Sequence, residues 1–302
     1  MSSERPCPVC LGRSYAHFTD ERIDPARVGA LTYASRKPPE FMCLRLVRCK
    51  DCDLVYAPPP PAEDFLHAAY SDADFDSGPE ALAAAQTYAD ALRVHLPGLA
   101  RRNAAVDVGA GTGPLLPFLQ EQGFFPVIGI EPSRAAIEAA PPAARPLLRE
   151  GMFSAAMLEG ETLSLITSFM TLEHLRDPGE FVSTAHGLLE PGGAIAVVVH
   201  NWRAPLNRLL GPRSPIIDVE HLQLFSPRAL HELLARTGFE HIALKPIRNA
   251  YPLRYWLRLT PLPASAKRLL LRLLERSGLA DRQIAMNVGN MLAVGYKPEP
   301  SK

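Results

Sequence analysis

VDVGAGTGPLLPFL, residues 106–119, decides the fold. A short apolar run carrying Asp107 ends at Val108, and glycines at 109, 111 and 113 follow before a helix is expected at about Pro114. Glycine permits the tight turn and lets a ligand approach the backbone, and proline suits the first turn of a helix. A glycine turn alone does not name its ligand. The dinucleotide fingerprint needs a third glycine three residues after the second, where this chain has Pro114, so the spacing is G-x-G-x-G instead. The next apolar stretch, PVIGIE (126–131), ends on Glu131, eighteen residues after Gly113. A carboxylate there can accept two hydrogen bonds from ribose hydroxyls, which fits an adenosine-bearing ligand.

Outward from this turn, short apolar strands alternate with helical stretches, the pattern of a doubly wound, mostly parallel sheet with helices on both faces. The strands predicted are 104–109, 126–131, a weak one at 145–148, 163–169, 194–200, 239–246 and 290–297. Seven strands of this kind make an α/β domain over 62–302. An insertion of helical character, 247–289, separates the last two. Upstream, four prolines at 58–61 stiffen a boundary between this domain and an N-terminal appendage over 1–61.

The appendage holds two hooks, CPVC (Cys7 and Cys10) and CKDC (Cys49 and Cys52). Two C-x2-C pairs can present four thiolates to one tetrahedral Zn2+, a structural site with no open position for substrate. Cys43 lies six residues before Cys49, the wrong spacing for a hook, and is read as strand packing. The chain has 302 residues, 47% of them apolar, and 32 basic residues balance 32 acidic ones. No global charge draws it to nucleic acid or to an anionic membrane. With no apolar signal segment and no membrane-spanning window, a cytoplasmic protein is expected.

These residues resemble a known family, the class I S-adenosylmethionine-dependent methyltransferases. VDVGAGTG is similar to the family's first motif and VIGIEPS to its second strand. SFMTLEHLRDPGEFVSTAHGLLEPGGAIAVVVHN is similar to its fourth strand, following helix and fifth strand, and EHLQLFSPRALHELLARTGF resembles a segment common in its small-molecule branch. The two-hook ribbon with a tyrosine-bearing helix after it resembles the zinc-binding domain fused to methyltransferases of saccharide and secondary-metabolite pathways. That pattern has glycine after each hook, whereas here Leu11 and Asp53 follow. Aspartate tolerates a left-handed turn and leucine does so less readily, so the first knuckle is expected to differ in detail.

The resemblance implies that Gly109, Gly111 and Gly113 run along the methionine part and ribose of S-adenosylmethionine and that Asp107 helps bind its amino group. Glu131 would hold the ribose, Pro132 and Met152 would pack around the adenine, and Tyr70 would close over the cofactor from the N-terminal side. Whether Glu150 reads the adenine amine is left open.

Methyl transfer from a sulfonium is an in-line displacement, so the protein supplies position and exclusion of water, and a base only where the acceptor must lose a proton. His221, in the loop DVEHLQLF, is the candidate base. His174 is a candidate for substrate binding or for a hydrogen bond to the loop, and His200 is expected to pack. In the insertion, residues 251–278 carry six basic residues and one acidic, with Arg268, Arg272 and Arg276 at intervals of four on an amphipathic helix. This element is expected to cover the substrate side and to contact either a membrane surface or the sheet edge. The leading expectation is a methyltransferase acting on a hydroxyl of a small molecule or saccharide, lipid-linked or free. The alternatives are an RNA-modifying methyltransferase that uses the ribbon as reader, and a non-catalytic S-adenosylmethionine-binding module.

Overall fold

The computed structural model describes residues 5–29, 32–33, 40–71, 79–260 and 262–300. In chain order the elements are β1 (Tyr15–Thr19), β2 (Leu46–Cys49), β3 (Val55–Tyr56), α1 (Glu63–Ser71) and α2 (Pro79–Arg93). After these come β4 (Ala104–Val108), α3 (Leu116–Glu121), β5 (Val127–Glu131), α4 (Arg134–Glu138), β6 (Leu148–Glu150), β7 (Leu163–Phe169) and α5 (Pro178–Leu188). Next are β8 (Leu189–His200), α6 (Pro205–Leu210), β9 (Gln223–Leu224), α7 (Pro227–Arg236) and β10 (Glu240–Pro246). The chain closes with β11 (Asn249–Pro252), α8 (Leu253–Leu259), α9 (Ala264–Arg276), β12 (Gln283–Met286) and β13 (Asn290–Tyr296).

The main sheet has seven strands in the order β10-β13-β8-β7-β4-β5-β6. Strands β6, β5, β4, β7 and β8 pair in parallel, while β13 runs antiparallel between β8 and β10. The sequence at the centre explains this order. Each of AAVDV and VIGIE is buried along its whole length, as strands covered on both faces must be. The strand expected at 145–148 is displaced to Leu148–Glu150, because Pro146 has no N–H for a ladder and the chain makes a 3-10 turn over Arg145–Leu147 instead.

The order reverses beside β4, whose neighbours are β5 on one side and β7 on the other. A crevice opens at the carboxyl ends of strands around such a switch point. Side-chain caps set where the helices beyond these strands begin. Ser133 caps α4 by accepting from the Ala136 N–H, Asp177 caps α5 through Glu180 N–H, and Ser226 caps α7 through Ala229 N–H.

The appendage does not stand apart from this sheet. Its strands form a four-stranded sheet in the order β1-β2-β3-β9, and the last of these comes from the loop that carries His221. Tyr56 pairs with Gln223 and Val55 with Leu224. Core packing is shared as well, since Cys7, Cys49, Cys52, Leu54 and Tyr56 belong to the same buried cluster as Val106, Ile166 and Val197. Asp53 adds a fork-like pair with Arg203, at 2.8 and 2.6 Å, and its carbonyl accepts from Trp202 Nε1 at 3.1 Å. No helix among the described residues is long and apolar enough to cross a membrane.

Candidate active site

A cleft of about 920 Å³ lies over the carboxyl ends of β4, β5, β7 and β8, and both groups of residues singled out in the sequence face it. At one end is the glycine turn. Gly109 takes a left-handed φ of 77°, and a Cβ there would sit 2.2 Å from Thr171 Oγ1, so no larger residue fits. Gly111, at φ 56°, has open space on the side a Cβ would occupy, which leaves its backbone approachable from the cleft.

Glu131 binds this turn to the next strand. Its Oε2 accepts from Gly111 N–H at 2.7 Å and its Oε1 from Ser133 N–H at 2.8 Å. Burial raises its carboxyl above the usual range, and the two amides pull the other way. An ionised carboxylate has about four lone-pair sites, so two remain for a ligand's hydroxyls. Asp107 is buried, accepts from Thr167 Oγ1 at 2.6 Å, and is pushed up to about 7 by burial. Desolvation without a neighbouring cation raises a carboxyl in this way, and a cationic group placed against it would lower it. Pro132 and Met152 line the cleft too, while Tyr70 from α1 lines it beside His174, the ring centroids 5.9 Å apart. Glu150 does not line it; it forms an ion pair with Arg134 at 3.4 Å on the surface.

The other end is built from histidines. His174, His200 and His221 all line the cleft, with ring centroids 4.9 Å apart for His174 and His221 and 5.2 Å for His200 and His221. His200, expected to pack at the end of a buried strand, is partly exposed and lines the cleft. As the last residue of β8 it reaches past the sheet into the cleft.

Beneath the three rings lies Glu173, a residue that sequence reasoning passed over. It is fully buried, its Oε1 accepts from His200 N–H at 2.5 Å and lies 3.0 Å from His200 Nδ1, and its Oε2 has no hydrogen-bond partner among the described residues. Burial alone would raise its carboxyl, but His200, then His221 and His174, outweigh that and hold it below the usual range. The string LEHL carries the signal: a carboxylate next to one histidine and one turn from a strand end.

The individual histidines differ. His221 Nδ1 is 2.8 Å from the Ile216 carbonyl, and burial, reinforced by its two histidine neighbours, pushes the ring down to about 3. His174 Nδ1 is 3.1 Å from the Glu220 carbonyl, which also accepts from Tyr70 Oη at 3.4 Å, and burial lowers its ring as well. A carbonyl partner fixes the proton on Nδ1 in each and leaves Nε2 with a lone pair. His200 likewise keeps its proton on Nδ1, facing Glu173.

Asn290 sits beside His200 in the β8–β13 register and its Nδ2 donates to Asn249 Oδ1 at 2.8 Å, while its own Oδ1 is buried without a partner among the described residues. Tyr255 and Trp256 of α8 close this end of the cleft. Tyr251 and Val288, also of the segment 247–289, line the cleft with α8, and no residue of α9 does.

The four hook cysteines have their Sγ atoms within 4.8 Å of one another, with Cys7 to Cys52 and Cys10 to Cys49 each at 3.5 Å. A tetrahedral Zn2+ with bonds of about 2.3 Å needs sulfurs about 3.8 Å apart, so the donor set fits the ion. Leu11 and Asp53 both take left-handed φ, 62° and 68°, so the two knuckles turn alike despite the expected difference. Leu11 tolerates this because its side chain is exposed while its N–H is held by the Cys7 carbonyl at 2.9 Å. Cys43 stands outside the cluster, buried against Trp202 and Leu46, as expected of a packing residue.

Comparison with known proteins adds the identity of the fold. A family model described as a methyltransferase domain matches residues 82–244, more than half of the chain. Curated protein sequences gave no match. Among solved structures, a SAM-dependent methyltransferase of Thermotoga maritima is similar at 19% identity, over 72% of this chain and 91% of that one, with a TM-score of 0.48. A SAM dependent methyltransferase from Archaeoglobus fulgidus is similar at 16% identity, over 78% of this chain and 100% of that one, with a TM-score of 0.47. Together with the strand order and the glycine turn, the family match places this chain among the S-adenosylmethionine-dependent methyltransferases.

Proposed function

We propose that this enzyme transfers the methyl group of S-adenosylmethionine to a hydroxyl of a small molecule, a saccharide included, with the histidine end of the cleft receiving the acceptor and its proton. The observation that carries this reading is Glu173, a buried carboxylate with one oxygen on His200 and the other unpartnered. The cofactor's sulfonium supplies the reactive methyl. Gly109, Gly111 and Gly113 would give it a backbone cradle, Asp107 would meet its ammonium and Glu131 its ribose, Pro132 and Met152 would pack on its adenine, and Tyr70 would close over it from beside His174.

His200 suits the base better than His221. With its Nδ1 proton on Glu173, its Nε2 can take the acceptor's proton while the adjacent carboxylate stabilises the imidazolium that forms. His221 and His174, held neutral by burial, offer lone pairs that orient the hydroxyl. The unpartnered Oδ1 of Asn290, which lines the cleft, favours an acceptor that offers an O–H donor, since a buried acceptor atom left unsatisfied costs about 1–3 kcal/mol. Zn2+ on Cys7, Cys10, Cys49 and Cys52 would hold the ribbon shut and, through β3 and β9, steady the loop that carries His221.

Radiolabelled S-adenosylmethionine with hydroxylated small molecules, amines and structured RNA tests the reading. Label on oxygen, lost in His200→Asn, is the expected result. Label confined to nitrogen or to RNA overturns it, and loss in His221→Ala with full activity in His200→Asn would restore His221 as base.

A further inference from the structure

The insertion splits into two helices with opposite surroundings. Helix α8 buries Tyr255 and Trp256 against the cleft, whereas α9 has thirteen residues and buries none of them. At about 100° per residue, Leu269, Leu273 and Leu270 share one arc of α9. They are 60%, 51% and 39% exposed, an unusual amount of leucine to leave in water on a single helix. Arg268, Arg272 and Arg276 form the adjoining stripe, and among the described residues none of the three makes an ion pair. The inner side carries the half-buried Leu271 and Leu274, together with Lys267, whose Nζ donates to the Arg258 carbonyl at 2.7 Å. Glu275 is the one acidic residue of the helix, and Asp281, five residues beyond its end, is paired with Arg254.

We propose that α9 docks flat on an anionic membrane surface, with Leu269, Leu270 and Leu273 in the headgroup boundary and the three arginines on lipid phosphates. A short helix with leucines on one arc and cations beside it is suited to that interface, because long arginine stems lie along the apolar face while their heads reach the phosphates. Charge complementarity selects the occupant. A second copy of this chain seated on the same face would set arginine stripe against arginine stripe with Glu275 alone to offset them. An anionic lipid surface instead attracts each arginine. Residues 260–263 join α9 to α8, so the docked helix would hold the acceptor end of the cleft near the surface. This inference concerns the outer face and does not depend on which group is methylated.

Cosedimentation with phosphatidylcholine vesicles, with and without about a third phosphatidylglycerol, tests it using the full chain. The expected result is at least tenfold stronger partitioning onto the anionic vesicles, weakened by salt. Leu269→Gln/Leu270→Gln/Leu273→Gln should lose that binding about tenfold or more, and Arg268→Gln/Arg272→Gln/Arg276→Gln about a hundredfold, both with unchanged affinity for S-adenosylmethionine as proof of folding. Equal partitioning onto neutral and anionic vesicles, or unchanged binding in either variant, overturns the proposal. So does a concentration-dependent dimer by light scattering that the leucine variant abolishes, which would assign the face to a second copy.

Discussion

The two ends of the cleft are built in different ways. The end proposed for the cofactor is built mainly on one run of chain, Asp107 to Ser133, where the Gly111 and Ser133 amides hold Glu131 and the Thr167 hydroxyl holds Asp107. The acceptor end gathers Glu173, His200, His221, Trp256 and Asn290 from segments far apart, and carbonyls, a buried carboxylate and a strand shared with the ribbon fix its rings. One end is a local turn that any neighbour could share. The other exists only when the whole fold is assembled, and on the proposed reading substrate choice would vary there while the cofactor does not.

If the ends are separable, damage to one should spare the other, and the largest effect should come from Glu173. Glu173→Gln keeps the shape but removes the charge that supports His200. We expect kcat to fall about a thousandfold, within the range for loss of general-base action, with the affinity for S-adenosylmethionine within about threefold of wild type. Calorimetry and single-turnover kinetics read the two separately. Equal loss of cofactor binding would mean that the ends are one unit.

Removal of the proposed Zn2+ should act on the histidine end from a distance. Because β3 of the ribbon pairs with β9, chelation should loosen the His221 loop and reduce turnover about a hundredfold, the effect expected from displacing positioned groups by about 1 Å. Cofactor affinity should again persist. Elemental analysis before and after chelation, with activity regained on adding Zn2+, checks the assignment. A preparation containing no zinc and fully active would break it.

The complementary test strikes the cofactor end. Glu131→Ala leaves the Gly111 and Ser133 amides without their carboxylate and the ribose without its acceptor. We expect affinity for S-adenosylmethionine to drop about thirtyfold, equivalent to about 2 kcal/mol, with kcat at saturating cofactor nearly retained.

The same contrast governs how much of the molecule is legible in its sequence. The glycine turn, Glu131 and the hooks announce themselves because their chemistry depends on spacing within a few residues. The seven-stranded sheet is legible because buried parallel strands read as short apolar runs, and β6 departs from expectation because Pro146 cannot join the ladder expected there. Glu173 escapes notice because LEHL does not reveal that its acid turns inward under His200. That relation depends on where β7 and β8 end. Nor can composition tell α8 from α9, since both combine leucine with arginine; only the core decides which helix is covered.

The smallest effect separates the ends by pH. Burial pushes the Asp107 carboxyl from its ordinary value of 3.8 up to about 7, so between those values the folded, ligand-free protein holds a proton that the unfolded chain has released. The contribution to stability is present in full below the unfolded value and is lost as pH rises through about 7. The cofactor's ammonium reverses the preference, since it favours the carboxylate. Affinity for S-adenosylmethionine should therefore rise about tenfold per pH unit up to about 7 and level off above it. Thermal melts should show the free protein losing stability from pH 5 to 7, with the loss reduced at saturating cofactor. Asp107→Asn should flatten both trends without touching the acceptor end. An affinity constant from pH 5 to 8 in the wild type would deny Asp107 its ammonium and move the charge recognition elsewhere in the cleft.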